Sequence, residues 1–316
     1  TLLGGMKERG GTSFHQGKVG DVFEFPNDLV AVVRSNRLSA FNYKLPREIL
    51  HKGHILNAIS WEMLKNTRHV CPNWATHILD PQMTIGHKCE PILVEMVVRG
   101  YLAGHAWREY RDGKRAICGM TMPDGMKEND PFREPIITPT AKSEDDEDLT
   151  FEEILARGLC TEQELNQMAL YALDLFREGT KIAYSRGLIL VDTKYEFGRL
   201  GANGPVMLID EVHTPDSSRY WYADGYQGRQ ERGEPQKQLS KEFVREWLIQ
   251  QGFQGRLGDL MPEMSDAKVK EISDRYIELY EVIMARKFIP VPVPATISSE
   301  VRIVAAMHGH LHSERA

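Results

Sequence analysis

Charged side chains recur at alternate positions in two apolar segments of the C-terminal half, where they could bind a metal ion and a phosphate group. If the first segment forms a strand, Asp192, Lys194 and Glu196 lie on one face, because side chains alternate between the two faces of a strand. A hairpin turn centred on Asn203 would then place Glu196 directly opposite Asp210. This register predicts two carboxylates that face each other across the hairpin.

The facing carboxylates of Glu196 and Asp210 would repel each other unless a cation lay between them. Mg²⁺ suits such a pair, since it commonly takes one or two protein carboxylates together with phosphate oxygens of the substrate. Lys194 and Arg219 could supply the positive charge that those phosphate oxygens need. The alternative is a solvated strand face with cross-strand ion pairs, which is common on sheet surfaces. The residues alone leave both interpretations open.

Two shorter segments offer further phosphate contacts. The hydroxyl groups of residues 213–218 precede Arg219, and such a segment after a turn could cradle a phosphate. The alternative is an ordinary turn that begins at Asp216. Gly17–Lys18–Val19–Gly20 is a turn between predicted strands, and it lacks the G-x-x-x-x-G-K-S/T spacing of a P-loop.

Hydrophobic periodicity predicts both strands and helices that would position these residues. Thr161 and Glu164 form a predicted capping box, and Gly187 is the predicted end of the helix that follows. Residues 123–150 contain four prolines and several acidic residues, so we expect a long irregular segment there. The other predicted elements are a β-hairpin over 21–33, a buried strand over 91–99, a short helix over 104–111, a hairpin over 187–212, and helices that start near Ser240 and Ser265.

The composition excludes several classes of protein. The 316 residues include 39 Lys and Arg against 45 Asp and Glu, and a net charge of −6 argues against a nucleic-acid-binding protein. No apolar run approaches the roughly 18–20 residues that a membrane span needs. The four cysteines show no C-x-x-C spacing, which favours reduced thiols in a cytoplasmic protein. We therefore expect a cytoplasmic enzyme or binding protein, monomeric or homo-oligomeric, with small-molecule ligands.

Several segments together resemble the SAICAR synthetase (phosphoribosylaminoimidazole-succinocarboxamide synthase) family. The resemblance extends from about residue 13 to residue 288, with the segments in the same order as in the family. The segments that carry it are 17–19, 94–104 with Ala106 and Trp107, 134–136, 192–198, 210–219 and 236–247.

The resemblance implies an α+β fold with a β-rich N-terminal lobe and an ATP-grasp-like lobe that hold nucleotide between them. The N-terminal lobe would comprise residues 1–95. The ATP-grasp-like lobe, with the nucleotide, magnesium and substrate sites, would comprise 96–235. A helical segment over 236–290 and an extended tail over 291–316 would complete the chain.

The resemblance also implies an ATP-dependent carbon–nitrogen ligase of purine biosynthesis. In the family reaction, ATP phosphorylates the carboxylate of an aminoimidazole ribonucleotide, and the amine of L-aspartate displaces the phosphate to form an amide. Because a carboxylate is a poor acyl donor, phosphorylation supplies the leaving group. The enzyme must align two anions and neutralise them, which agrees with ATP and Mg²⁺ as cofactors.

Roles for individual residues follow from the same resemblance. It implies that Glu196 and Asp210 bind Mg²⁺ and that Lys18 contacts the phosphates of ATP. The other predicted cofactor-binding residues are Glu95, Met96 and Val97 at the adenosine, the last two through their backbone, and Lys142 from the long loop, a candidate lid. The predicted catalytic residues are Arg99, Asp192, Lys194 and Arg219, and the predicted substrate-binding residues are Ser39, Asn42, His105 and Ser218.

Four positions depart from the family pattern. The family reads Arg at Gly20, Asp at Asn36 and Asn42, and Ser at His105. An amide in place of a carboxylate keeps the shape and the hydrogen bonding but removes the charge. One alternative is therefore a diverged relative from nucleoside-antibiotic pathways of the coformycin and pentostatin type, which uses ATP on another substrate without aspartate ligation. A further alternative is a nucleotide-binding regulatory protein without turnover.

Overall fold

The computed structural model describes residues 13–25, 28–143 and 146–291, and an antiparallel five-stranded sheet forms the N-terminal part of the described chain. Its strands are β1 (Ser13–Gln16), β2 (Gly20–Phe25), β3 (Leu29–Arg34), β6 (Ala75–Asp80) and β7 (Met83–His87) in the order β1-β2-β3-β7-β6. The predicted hairpin over 21–33 is confirmed, with Phe23 opposite Ala31. A short ribbon of β4 (Ser39–Ala40) and β5 (Tyr43–Lys44) follows β3.

A second five-stranded sheet carries the segments with the charged residues. Its strands are β8 (Glu90–Tyr101), β11 (Pro131–Ala141), β12 (Leu188–Arg199), β13 (Val206–Ile209) and β14 (Ser218–Tyr222). The order is β11-β8-β12-β13, and β14 pairs with the first half of β12. A ribbon of β9 (Ala116–Ile117) and β10 (Met120–Thr121) precedes β11.

Helices pack against both sheets. Within the described residues they are α1 (Lys52–Asn66), α2 (Gly104–Arg111), α3 (Phe151–Ala156), α4 (Glu162–Ser185), α5 (Tyr226–Arg232), α6 (Glu242–Gln250) and α7 (Asp266–Met284). The predicted capping box of α4 is confirmed. Glu164 N donates to the Thr161 hydroxyl at 3.2 Å, and Thr161 N donates to the Glu164 carboxylate at 2.8 Å. The helix contacts β8 and β12, and its buried apolar side therefore supports the strands that carry the charged residues.

The mixed α+β fold is confirmed, but the irregular segment expected over 123–150 is wrong in its central part. Residues 131–141 form β11, which pairs antiparallel with β8. Pro135 and Pro139 lack an N–H group, and they are tolerated because β11 is an edge strand that pairs with a single strand of this sheet. Proline content therefore indicated an edge strand here and not a loop.

The predicted lobe boundaries stay a prediction. The first sheet ends with β7 and the second begins with β8, which continues through residue 95. Most of the predicted tail over 291–316 lies outside the described residues. No helix among the described residues combines the length and the apolar character that a bilayer crossing needs.

We expect Gly179→Ala to destabilise the fold. A Cβ atom at Gly179 would lie 2.4 Å from Cε1 of the buried His213, whose Nε2 is held by the Tyr195 hydroxyl at 2.7 Å. The free energy of unfolding in urea should fall by about 1–3 kcal/mol, as for other overpacked cores. A stabilisation, which Gly→Ala usually gives in a helix, would contradict this packing. As a control, Gly179→Ala should cost less in a His213→Ala background, where the ring is absent.

Candidate active site

A cleft of about 540 Å³ lies where β8, β12 and β14 meet the segment 39–42 and the start of α6. Most of the predicted site residues line it: Ser39, Asn42, Glu95, Val97, Arg99, His105, Asp192, Lys194, Ser218 and Arg219. A larger cavity of about 720 Å³ lies beyond Arg219 and Glu242. Of the predicted site residues, all of which are described, Arg219 alone borders that larger cavity, so the smaller cleft is the candidate site.

Alternation along β8 explains which of its residues reach the cleft. Glu95, Val97 and Arg99 line the cleft. Met96 has no exposed surface and belongs to the main hydrophobic core on the other face. The side chain of Met96 therefore supports the strand, and only its backbone remains available for the nucleotide contact that was predicted.

Two carboxylates face each other across the strand pair β8–β12, but they are not the two that the sequence predicted. Glu95 is the direct partner of Glu196 in this antiparallel pair. The Lys194 ammonium lies between them, with Nζ 2.6 Å from Glu95 Oε1 and 2.9 Å from Glu196 Oε1. Lys142 forms a second ion pair with Glu196. The facing acids are thus held together by two lysines.

Burial and ion pairing act against each other in this group. Burial alone would raise the pKa of the Glu196 carboxyl, but Lys194 and Lys142 outweigh it and hold the pKa at about 2. Burial keeps the pKa of Glu95 above its ordinary value in spite of Lys194. The pKa of Lys194 is lowered by burial but raised more by Glu196 and Glu95, so this lysine stays charged.

Asp210 lies one residue after the position that faces Glu196 across the hairpin. Glu196 pairs with Ile209 on β13, so the predicted opposition of Glu196 and Asp210 is wrong. The hairpin is centred between Ala202 and Asn203, and Asp210 follows the end of β13 in a left-handed conformation with φ 61°. Its carboxylate instead pairs with Arg34 of β3, with Nη1 2.7 Å from Oδ1.

Asp210 and Glu196 nevertheless share their cations. The pKa of Arg34 is lowered by burial but raised more by Asp210, Glu211 and Glu196, and Asp210 also raises the pKa of Lys194. The two predicted metal-binding carboxylates therefore lie in one electrostatic group with Arg34 and Lys194, although they are not cross-strand partners.

The donor set fits Mg²⁺ bound together with phosphates and does not fit a metal held by protein alone. Among the described residues, no three His, Cys, Asp or Glu side chains form a group that could hold a metal ion. Mg²⁺ needs only one or two protein carboxylates when substrate phosphates supply other ligands. Glu196 and Asp210 can meet that need, and in the structure both are compensated by the cations Lys142, Lys194 and Arg34.

The other end of the cleft is positively charged. Asp192 on β12 is the strand partner of Arg99 on β8 and of Arg219 on β14. Arg219 forms ion pairs with Asp192 and with Glu242, and Arg99 Nη1 lies 3.5 Å from Asp192 Oδ2. Burial lowers the pKa of Arg99, and the nearby charge of Arg219 lowers it further. Burial also acts to lower the pKa of Arg219, but Asp192 and Glu242 outweigh it and raise that pKa. Two buried guanidinium groups that share Asp192 favour a bound anion such as a phosphate.

The remaining predicted residues lie around the rim and floor of the cleft. Lys18 does not line it directly, but Lys18 Nζ donates to Asn42 Oδ1 at 3.2 Å. His105 Nε2 lies 2.8 Å from Asp148 Oδ2. The Ser218 hydroxyl is 2.7 Å from that of Thr193, and Ser39 lines the cleft from β4.

Two of the four departures from the family pattern lie away from the cleft. Asn42 and His105 line it. Gly20 instead begins β2, and Asn36 lies between β3 and β4, where its side chain contacts the first turn of α1. The Asn36 side-chain oxygen accepts a hydrogen bond from Gly53 N at 3.1 Å. The amide at Asn36 therefore supports the helix.

Several residues that line the cleft or compensate its charges were not predicted from the sequence. They are Arg34, Arg108, Thr140, Asp148, Ser240, Lys241, Glu242 and Arg245. The segment 236–247 was recognised in the family resemblance, but no residue in it was given a role. Its partners are distant in the sequence, so no local pattern could place them at the cleft.

The family model described as SAICAR synthetase matches residues 13–259. Phosphoribosylaminoimidazole-succinocarboxamide synthase of Bacteroides thetaiotaomicron is 55% identical over 283 residues, which are 89% of this chain and 90% of the relative. The enzyme of the same name from Flavobacterium psychrophilum is 53% identical over 290 residues, which are 91% of this chain and 90% of the relative.

Solved structures show the same likeness. The structure described as SAICAR-synthase from Saccharomyces cerevisiae complexed with SAICAR superposes with a TM-score of 0.75 and 30% identity, over 88% of this chain and 96% of that chain. A structure described as SAICAR synthetase (Type-2) in complex with ADP has a TM-score of 0.68 and 21% identity, over 88% of this chain and all of that chain (100%).

We expect Lys194→Met to destabilise the protein, because it leaves Glu95 and Glu196 facing each other without the ammonium between them. The loss in free energy of unfolding should be about 2 kcal/mol, less than for a fully buried pair because part of Lys194 reaches solvent. Removal of Lys194 raises the pKa of Glu95 further above its unfolded value, so the folded protein takes up a proton as the pH falls. The loss in free energy of unfolding should therefore become smaller as the pH falls from about 8 to about 5.

Chemical denaturation across this pH range measures the effect. Lys270→Met is the matched control, because Lys270 pairs with Asp274 on the exposed side of α7 and should change stability by less than about 0.5 kcal/mol. A loss for Lys194→Met that does not vary with pH would show that the carboxylates are not the cause.

Proposed function

The chain belongs to the SAICAR synthetase family, and from that membership we propose that it is an ATP-dependent carbon–nitrogen ligase of purine biosynthesis. Its substrates are ATP, L-aspartate and an aminoimidazole ribonucleotide that carries a carboxylate. The observation that supports this most is one cleft lined by Glu95 and Lys194 at one end and by Arg99 and Arg219, which share Asp192, at the other. A triphosphate that carries Mg²⁺ suits carboxylates together with lysines, whereas a sugar phosphate suits arginines.

The acidic end of the cleft is the proposed nucleotide site. Lys18 and Lys142 contact the phosphates of ATP, and Glu95 with the backbone at Met96 and Val97 holds the adenosine. A relative of this fold has been solved in complex with ADP, which supports nucleotide binding by the family fold. When bound, Mg²⁺ would be held by Glu196 and Asp210 and would neutralise phosphate charge.

The basic end of the cleft is the proposed ribonucleotide site. Arg99 and Arg219 bind the sugar phosphate, with Asp192 fixing both guanidinium groups between the strands. Ser218, His105, Ser39 and Asn42 line the walls around the heterocycle. This arrangement directs the imidazole carboxylate toward Lys194, whose ammonium opposes the charge that develops during transfer.

The reaction proceeds in two transfers. The γ-phosphoryl group of ATP passes to an oxygen of the imidazole carboxylate, and ADP is released. The neutral amine of aspartate then attacks the carbonyl carbon, the carbon–oxygen bond to phosphate breaks, and the amine loses a proton as the amide forms. The site must keep water from the acyl phosphate, which water would otherwise hydrolyse.

The two alternative functions have weaker support. The relatives and structures described above are named as SAICAR synthases, and none of these names supports a nucleoside-antibiotic enzyme. A regulatory protein without turnover would not need the paired acids and lysines that the cleft retains. The cytoplasmic location and the oligomeric state stay predictions.

The direct test measures ADP release with Mg²⁺ and carboxyaminoimidazole ribonucleotide, with and without L-aspartate. We expect ADP release to require both the ribonucleotide and aspartate in steady state, with the succinocarboxamide product detected by mass spectrometry. ADP release that continues unchanged without aspartate, or no release with any combination of substrates, would contradict the proposed function.

A second test addresses the metal. Glu196→Gln and Asp210→Asn should each raise the Mg²⁺ concentration for half-maximal activity by at least about tenfold, an effect that even indirect partners of metal ligands produce. Asp274→Asn is the control, because Asp274 is exposed and forms its ion pair with Lys270 on the surface of α7. If both cleft variants keep the wild-type Mg²⁺ requirement, these carboxylates do not hold the metal.

A further inference from the structure

The Ser240–Lys241 turn lines the cleft but has no role in the function described so far. It precedes α6 and lies against the loop that leads into β14, with Lys241 N donating to Pro215 O at 3.3 Å. Both side chains thus face the same space as Ser217 and Ser218. The turn is therefore part of the wall that a bound substrate meets.

Lys241 is the second and more distant cation beside the Asp216 carboxylate, which already forms an ion pair with Lys52. The fully buried Lys52 of α1 lies 2.8 Å from Asp216 Oδ2, whereas Lys241 Nζ is 3.8 Å from the same oxygen. The Tyr276 hydroxyl of α7 donates to the other oxygen of Asp216 at 2.5 Å. Since Asp216 compensates Lys52 first, the ammonium of Lys241 brings positive charge to the cleft wall that Asp216 does not fully neutralise.

Ser240 supplies an unused hydrogen-bonding group beside this charge. Its side-chain hydroxyl is buried and makes no hydrogen bond within the part of the chain that the structure describes, and the residue is 5% exposed. Buried hydroxyl groups nearly always have a partner, because an unmade hydrogen bond costs free energy. An unpartnered hydroxyl next to a lysine in a cleft wall indicates a place for an anionic ligand.

We propose that the Lys241 ammonium and the Ser240 hydroxyl bind a carboxylate of the amino-acid acceptor, so that this turn is the acceptor subsite of the cleft. The assignment rests on the proposed ligase function. One ammonium and one hydroxyl can each bond one oxygen of a carboxylate. A phosphate dianion is better matched by the forked guanidinium groups of Arg99 and Arg219 at the basic end.

The charges around Lys241 give this subsite a pH dependence. Burial lowers the pKa of Lys241 to about 8, with Lys52 and Arg245 acting in the same direction and Asp216 and Glu211 opposing them. A bound carboxylate favours the charged ammonium. Acceptor binding is therefore strongest below about pH 8, and it weakens above that pH as free Lys241 loses its proton.

Steady-state kinetics of Lys241→Met and Lys241→Arg test the subsite. For Lys241→Met we expect the KM for aspartate to rise about 10- to 100-fold, as for loss of a charge-assisted hydrogen bond, with the KM values for ATP and ribonucleotide unchanged. Lys241→Arg should keep part of the affinity. The rise of the wild-type aspartate KM above pH 8 should disappear in Lys241→Met. Ser240→Ala should raise the same KM by about threefold to tenfold.

Lys270→Met on the exposed side of α7 is the control, and thermal unfolding verifies that every variant is folded. An unchanged aspartate KM in folded Lys241→Met and Ser240→Ala overturns the subsite while leaving the ligase function intact. A rise in the KM for the ribonucleotide alone also overturns the acceptor subsite, and it assigns the turn to the ribonucleotide site. If the wild-type protein itself shows no aspartate-dependent turnover, the proposed function fails before the subsite is tested.

Discussion

The opposition of Glu95 and Glu196 across β8 and β12 is the constraint on which the rest of the cleft depends. Two buried carboxylates at adjacent strand positions are unfavourable unless cations share them, and Lys194 and Lys142 fill that role. The strand register must be held firmly to keep these groups together. The packing of α4 against the same two strands supplies that rigidity.

The same two strands carry both ends of the cleft. Asp192 and Glu196 lie on one face of β12, four residues and therefore about 13 Å apart along the strand. One end attracts anions through Arg99 and Arg219, and the other combines carboxylates with lysines. A rigid strand thus sets the separation between the two proposed binding sites, and side-chain alternation keeps Val94, Met96 and Val98 in the core.

Much of this arrangement could be predicted from local patterns. The N-terminal hairpin, the capping box of α4 and the shared face of Asp192, Lys194 and Glu196 follow from periodicity and spacing. The partner of Glu196 could not be predicted, because a shift in the turn centre from Asn203 toward Ala202 moves the facing residue from Asp210 to Ile209. The contacts of Arg34 and Lys241 join distant segments, and nothing in the neighbouring sequence indicates them.

The ion pairs of Lys52 with Asp216 and of Arg34 with Asp210 join residues separated by more than half of the chain. Contacts between residues so far apart in the sequence form late in folding, because the chain must first lose the conformational entropy of the large loop between them. During synthesis the first sheet can pair its strands while the later segments are still being made. The hydrogen bond from Tyr276 to Asp216 in the cleft wall forms only after α7 has emerged from the ribosome, so a chain without α7 lacks this support of the wall.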